Sequence, residues 1–465
     1  MKNALNPLSG FQQLMPEEQV LFDGMVDTIK SVYRLCGFVP FETPAMERKE
    51  TILAAKGGIV NQVYTVSRLQ GEVDFRRKLE QDGSNADIAR YFDNTCTDMA
   101  LRFDLTVPLA RFVSTRHGEL TFPFRRYQIQ PVWRGERAQA GRYRQFLQCD
   151  IDIVGNEQLP ILYDAEVPVV MANVLRKLGL DSFVIHLSNM KILKGILTSL
   201  GLDDDEEITQ ALRIIDNLGK AGFDSTVKSL SELGSINQVH AQELLEMIIS
   251  SNDLEALVLK YGNSSPLLKE GVEELTDVYN TALAFGLSPD SIKIDLSIAR
   301  GLNYYTGTVF ETFVNGYRNL GSVSSGGRYD NLAENLGGKR FPGVGMTLGL
   351  SRLVAVLKAS GKFDVKSTKR ESVLVTVQDY KMIDDYLSIT TSLRSNGIVS
   401  ECMLYEKSLP KQLKYADRKN FRFVIIANEE ELKNGSVNVK DLVENCQENV
   451  QIQLLNEYFQ RKSNL

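Results

Sequence analysis

The sequence is poor in the residues that most often mark a metal centre or a catalytic triad. Its 465 residues include three histidines, His117, His186 and His240, far apart in the chain. A histidine-based metal site and Ser-His-Asp chemistry are therefore disfavoured. The five cysteines, at 36, 96, 149, 402 and 446, are scattered, odd in number and without a C-x-x-C pair. They read as reduced thiols of a cytosolic protein. No run reaches membrane-spanning length, and the N-terminal "MKNALNPLSGFQQLMPEEQ" lacks the apolar stretch of a signal peptide. The expectation is a soluble, cytoplasmic protein with no membrane partner. A formal net charge of −6 argues against non-specific nucleic-acid binding through a basic surface, while leaving room for a local patch.

What is present is a globular composition, 43% hydrophobic and 24% charged, in a chain long enough for two or three domains. Pro16, Glu17 and Glu18 open a helix whose stripe is Val20, Met25, Ile29 and Val32, with Gly37 as its cap. "FVPFETPAMER" follows as a short extended piece, and its prolines 40 and 44 place it at a sheet edge. Residues from about 100 to 155 read as antiparallel β, those from 185 to 285 as helical stripes, and those from 292 to 350 as β again. The polar "ASGKFDVKSTKRES" reads as a linker, and "SVLVTVQDY" and "FRFVIIANEE" then alternate strand and helix. The predicted division is a core of residues 1–184 and 286–360, a helical insertion at 185–285, and a linker with a closing α/β domain at 361–465.

Two stretches carry chemistry. In "WRGERAQAGRYRQFLQCDIDIVG", Leu147, Cys149, Ile151 and Ile153 alternate with Phe146, Gln148, Asp150 and Asp152, so one strand face is core and the other polar. Arg134 is in phase with Gln130 and Gln128 on the preceding strand, and Arg137, Arg142 and Arg144 lie in the connecting loop. "RGLNYYTGTVFE" reads as a strand interrupted by glycines, where a ligand comes close. Alternation puts Gly301, Asn303, Tyr305 and Gly307 on one face and turns Tyr304 into the core.

"RGERAQAGRYRQF" resembles motif 2 of the class II aminoacyl-tRNA synthetases. "FETPAMER", with Pro44, is similar to motif 1, and "GVGMTLGLSRLVAVL" to motif 3, a glycine-spaced strand entering a helix at Arg352. A dinucleotide-binding glycine loop with Asp364 as its acid is the rival for that last segment. It is disfavoured because the glycines fall before and within the apolar strand. "ARGLNYYTGTVFE", "SSGGRYDNLAENLGG" and "LRFDLTVPLARF" resemble the segments of the histidyl-tRNA synthetase family, in the form with Asp at 104 and 152. The long polar segment from Ser67 to Asp98 departs from the pattern and is expected to be a surface excursion. Ser351 stands where an acid often precedes the motif 3 arginine.

The resemblance implies an α/β multidomain chain: an antiparallel β-sheet of class II type flanked by helices, a helical insertion and a C-terminal α/β anticodon-binding domain. It implies a homodimer through the motif 1 region. It also implies a ligase that joins histidine to ATP and passes the histidyl group to its tRNA. By the same resemblance Arg134 and Arg300 are catalytic, with Arg300 also beside histidine. Arg134, Glu136, Arg142, Phe146 and Arg352 bind ATP. Asp104, Thr106 and Gln148 surround the amino and carboxylate groups of histidine, and Asp152, Tyr305 and Tyr329 its imidazole. Mg²⁺ accompanies ATP, with no ligands identified. Lys407, Lys411, Lys414 and Arg418 recur at helical spacing and offer a cationic face for tRNA backbone. The alternative is a non-catalytic, synthetase-like histidine-binding subunit of histidine biosynthesis. Such paralogues typically lack the closing domain and lose catalytic residues, whereas this chain has both that domain and Arg300.

Overall fold

The computed structural model describes residues 5–54, 62–67, 98–137, 141–250, 254–299, 304–363, 370–405 and 407–462. Nearly all of the polar segment between Ser67 and Asp98 lies outside them, as do Cys96, Arg300 and Asp364. The chain forms two compact units, Met1–Phe363 and Asp364–Leu465.

In the first unit the strands are β1 (Val39–Pro40), β2 (Met46–Arg48), β3 (Thr65–Val66), β4 (Met99–Leu101), β5 (Phe124–Trp133), β6 (Gln145–Val154), β7 (Phe183–Asn189), β8 (Ile292–Ile294), β9 (Thr308–Val314), β10 (Ser324–Tyr329) and β11 (Gly343–Gly349). Among the described residues, eight of them form one sheet in the order β1-β5-β6-β11-β10-β9-β7-β8. Its central pairings are antiparallel, and only the edge strands β1 and β8 run parallel to their neighbours. The proline-bearing segment therefore does sit at an edge, where a missing N–H costs no ladder bond. β2, β4 and β3 form a small separate sheet.

The two faces of the large sheet differ as the alternation on β6 requires. Cys149, Ile151 and Ile153 are fully buried in one core with Ile29, Val32 and Tyr33 of helix Pro16–Leu35 and Val167, Val170 and Val174 of helix Tyr163–Lys177. Each such isoleucine contributes about 1.5–3 kcal/mol of burial, which pins the register and so decides which side chains face the other way.

Three local expectations change. Residues 100–155 are not all β: Thr106–Arg116 is a helix. Asp104 accepts the Val107 N–H at 3.1 Å, and Pro108 falls in the first turn, where no intrahelical N–H is lost. Residues 185–189 complete β7, so the helices between the strands begin at Met190. They run to Ala284, after which β8 and β9 return to the same sheet. β9 begins only at Thr308, so the strand alternation assumed up to Gly307 does not hold for residues 304–307, and Gly301 and Asn303 lie outside the described residues.

In the second unit β12 (Arg370–Val375), β13 (Ser400–Cys402), β14 (Phe421–Ile426), β15 (Ser436–Asp441) and β16 (Cys446–Gln451) form a mixed sheet in the order β13-β12-β14-β15-β16. Helices Ile383–Ser395 and Leu409–Arg418 accompany it. Buried Gln412 fixes the second helix by exchanging two bonds with the Val377 backbone.

Glycine lets the central strands meet. A Cβ on Gly326 would lie 2.1 Å from the Gly345 carbonyl oxygen on β11. Gly326→Ala is expected to lower stability by about 2 kcal/mol, read as a lower urea midpoint with an unchanged denaturant slope.

Candidate active site

Cross-strand register builds the site as rows on the polar face. One row runs His186, Glu311, Ser325, Thr347, Asp150, Gln128 across β7, β9, β10, β11, β6 and β5. The next runs Ser188, Val309, Gly327, Gly345, Asp152, Arg126 over the same strands. Gln130, Gln148 and Gly349 stand in a third. Directly opposed side chains share a face, so these rows form one polar floor. The glycines keep it low at its middle. A Cβ on Gly345 would lie 2.1 Å from Asp152 Oδ1, and one on Gly343 would lie 2.4 Å from the Tyr329 ring.

Over this floor opens a cavity of about 260 Å³ lined by Asp104, Thr106, Arg134, Glu136, Arg142, Gln148, Asp152, Tyr305, Tyr329 and Arg352. A neighbouring cavity of about 100 Å³ shares Arg134, Glu136, Arg142, Gln148 and Arg352 with it and adds Phe146. Every predicted site residue of the first unit that lies among the described residues is thus brought together. Arg300 lies outside the described residues.

One end is cationic. Arg134 follows β5 directly, its N–H bonded to the Arg144 carbonyl at 2.8 Å and its Nε to the Phe103 carbonyl at 2.9 Å. Its guanidinium lies 5.1 Å from the Phe146 ring. Arg352, in the first turn of helix Leu350–Ala359, donates to the Ser322 carbonyl at 2.6 Å. Burial, then the nearby Arg142 cation, lower its pKa; Glu136 opposes this and Arg134 adds to it. Arg142 faces Glu136 at 3.9 Å. Three guanidinium groups that repel one another in a cleft form a site for an anion with several charges.

The other end is anionic and buried. Asp152 accepts the Tyr329 hydroxyl at 2.7 Å and pairs with Arg126 at 2.6 Å. Burial raises its pKa to about 6 against the opposing pull of Arg126 and Tyr329. Burial raises Asp150 to about 7, opposed by Arg126 and reinforced by Asp152. Burial also raises Asp104, which the Val107 N–H and Arg134 oppose. Tyr305 is raised by burial and then by the three carboxylates, so it remains a neutral hydroxyl. Gln148 donates to the Thr347 hydroxyl at 2.9 Å, while its Oε1 and the Asp150 Oδ1 have no hydrogen-bond partner among the described residues.

Tyr304 needs correction. It is buried, as a core residue should be, but it lines the cavity and its hydroxyl donates to Asp104 at 3.0 Å. The chain is in a turn there, so neighbouring tyrosines converge instead of facing opposite ways. Arg126, Asp150 and Thr347 were also missed as site residues. Their signal was the in-phase alternation on β5, β6 and β11.

The glycines of "GVGMTLG" lie inside β11 and not in a turn after it, which removes the dinucleotide-loop reading. In the second unit Lys407, Lys411, Lys414 and Arg418 are all exposed on or just before helix Leu409–Arg418. The Lys407 ammonium lies 5.0 Å from the Tyr405 ring. Among the described residues no helix is long and apolar enough to cross a membrane. Cys36, Cys149, Cys402 and Cys446 are free thiols.

An antiparallel sheet whose polar face joins a cationic end to a small buried carboxylate pocket, in a chain that also carries a small α/β unit, is the arrangement of a class II aminoacyl-tRNA synthetase. The histidyl-tRNA synthetase family model matches residues 71–353, and the anticodon binding domain model matches residues 371–462. The histidine–tRNA ligase of Stenotrophomonas maltophilia is 40% identical over 443 residues, covering 93% of each chain. That of Clostridium tetani is 38% identical over 457 residues, covering 96% of each. The crystal structure of histidyl-tRNA synthetase from Nostoc sp. PCC 7120 superposes with a TM-score of 0.82 at 34% identity, over 98% of this chain and 99% of that one. The chain belongs to the histidyl-tRNA synthetase family.

Asp150 gives the site a measurable pH signature. Its pKa of about 7 in the fold lies above the ~3.9 of an unfolded carboxylate, so the fold holds this proton more tightly. Its stabilising contribution is complete below about pH 4 and is lost as pH rises through about 7. The melting midpoint of Asp150→Asn should therefore gain on the wild type between pH 5 and pH 8; a pH-independent difference would contradict the assignment.

Proposed function

We propose the following division of labour for the family's reaction. The chain is an ATP-dependent histidine–tRNA ligase, as its family membership over nearly the whole length states. In the first step an oxygen of the histidine carboxylate attacks the α-phosphorus of ATP, and pyrophosphate leaves with the electrons of the broken P–O bond. In the second, a hydroxyl of the terminal ribose of the tRNA attacks the histidyl carbonyl and AMP leaves.

The observation that carries this reading is the charge separation along one cleft, three guanidiniums at one end and three buried carboxylates at the other. Arg134 would hold the α-phosphate, and Arg142 and Arg352 the outer phosphates, where negative charge gathers in the transition state. Phe146 and Glu136 would receive the purine. Asp104, Thr106 and Gln148 would hold the amino and carboxylate groups. The neutral Tyr305 hydroxyl and the Asp152 carboxylate would meet the imidazole, with Tyr329 orienting Asp152. A neutral imidazole has one donor and one acceptor nitrogen, so an apolar side chain would leave both partners unpaired. Arg300 is assigned to the α-phosphate on the strength of its motif. Among the described residues no group of three or more His, Cys, Asp or Glu could hold a metal. Mg²⁺ would accompany ATP, whose phosphates commonly supply most of its ligands, and no step is assigned to it.

The chain would act in the cytoplasm as a homodimer. Val20, Leu35, Val39 and Met46 are exposed apolar side chains around the motif 1 edge, the surface such a dimer would cover. The helices from Met190 to Ala284 are read as an insertion domain of the catalytic core. The second unit would bind the tRNA, with Lys407, Lys411, Lys414 and Arg418 on its backbone.

Histidine-dependent exchange of pyrophosphate into ATP tests the reading: exchange with histidine alone among the amino acids is expected, and its absence from folded protein would overturn it. Arg300→Ala should lose about 100-fold or more in exchange rate with histidine binding retained. Replacing Lys411, Lys414 and Arg418 together by alanine should raise the KM for tRNA and flatten its salt dependence, because phosphate contacts set the salt slope. Exchange should not change.

A further inference from the structure

Arg126 is among the largest fully buried side chains of the protein, yet it does not line the cavity. It stands directly opposite Asp152 across the β5–β6 ladder, and its Nη2 lies 2.6 Å from Asp152 Oδ2. The same Nη2 donates to the Leu105 carbonyl at 3.2 Å, between Asp104 and Thr106. Its Nη1 donates to Gln128 Oε1 at 3.2 Å, and its Nε has no partner among the described residues. One guanidinium therefore ties the floor of the pocket to the loop that supplies its wall.

Asp152 is held from two sides. Tyr329 gives its hydroxyl hydrogen to Oδ1, and Arg126 faces Oδ2. A carboxylate offers about four lone-pair directions, so each oxygen keeps one for a ligand. The carboxylate leans over Gly345, where any Cβ would collide with it. A buried carboxyl without a cation beside it takes up a proton and ceases to be a pure acceptor.

We infer that Arg126 is a positioning residue for histidine selection, fixing Asp152 in place and in its ionised form so that it accepts the imidazole N–H. The inference rests on the histidine reading of this pocket. Arg126 acts through Asp152 and touches neither substrate. The other titratable groups around Asp152 are Asp104, Asp150, Tyr304, Tyr305 and Tyr329, with Glu311 and Glu136 on the same cavity wall and Tyr33 on the opposite face of the sheet. The tyrosines are all raised and stay neutral through pH 9. Asp150 titrates near the working range, so the experiment must separate it from Asp152.

The test is steady-state pyrophosphate exchange on the full chain with Arg126→Met, Arg126→Lys, Asp152→Asn and the double variant Arg126→Met/Asp152→Asn. Wild-type exchange with histidine is the prior control: its absence would overturn the histidine reading itself, before any variant is compared. With that control met, Arg126→Met should raise the histidine KM at pH 7 by about tenfold or more, with the ATP KM unchanged. Removing the cation raises the Asp152 pKa, so the carboxyl is protonated at pH 7 and ionises as the pH climbs. The histidine KM of Arg126→Met should therefore fall towards the wild-type value between pH 6.5 and 8.5. A pH effect that comes from Asp150 would persist in the double variant, whereas one from Asp152 would vanish there. Arg126→Lys should recover part of the affinity, because it restores charge without the planar fork. In the Asp152→Asn background, Arg126→Met should add nothing to the histidine KM. Equal rises in the KM for histidine and ATP, or the same Arg126→Met effect with Asp152 already replaced, would overturn the inference. Should Arg126→Met fail to fold, Arg126→Lys decides: an unchanged histidine KM overturns the inference, and a selective rise supports it.

Discussion

Asp104, Asp150 and Asp152 lie buried within one pocket, and the fully buried Arg126 pairs with one of them, Asp152. Burying like charges together is unfavourable unless a cation and hydrogen bonds compensate, and a carboxyl left uncompensated protonates. The protein meets this constraint unevenly. Asp152 has both an ion pair and a tyrosine hydroxyl, and Asp104 has a helix N–H and a second tyrosine. Asp150 keeps an oxygen with no hydrogen-bond partner among the described residues, and its pKa of about 7 lies above the value of about 6 for Asp152. This ordering follows from which strands and loops each carboxylate faces, and it divides the pocket into groups already engaged by the protein and groups open to a ligand.

The opposite end of the cleft poses the mirror problem. Arg134, Arg142 and Arg352 converge with partial compensation from Glu136, and burial makes their mutual repulsion costly. A polyphosphate relieves that repulsion as it binds, and more so as charge builds on its oxygens in the transition state. The apolar helices behind the sheet make such an arrangement possible. The core beneath β6 and β11 fixes the register that keeps unfavourable charges facing one another in the cleft. Glycines at 343 and 345 leave room for the Tyr329 ring and the Asp152 carboxylate on the floor between the two ends.

Much of this was legible in the sequence, because strand alternation is a physical rule that needs no tertiary information. Gln148, Asp150 and Asp152 were placed on one face by their spacing, and the structure puts them there. The glycine-spaced strand entering a helix at Arg352 was legible for the same reason. The failures have physical causes as well. "DLTVPLARF" was read together with the strands that follow it, but its first turn is held where Asp104 accepts the Val107 N–H. Tyr304 was assigned by an alternation that applies only inside a strand, and β9 starts after it. Arg126 carries no local mark beyond its phase with Gln128 and Gln130 on β5. Its partner Asp152 becomes visible only once the β5–β6 register is known. A local turn decided the first two, and tertiary pairing decided Arg126.

The central claim is that this polar sheet face is a histidine-activating site whose imidazole acceptor is Asp152. A crystal structure with histidine and a non-hydrolysable ATP analogue tests it most directly. The account predicts an imidazole nitrogen within about 3.2 Å of an Asp152 oxygen, the ring beside Tyr305, and the triphosphate against Arg134, Arg142 and Arg352. A histidine whose ring points away from Asp152, or a triphosphate seated away from those arginines, would contradict it.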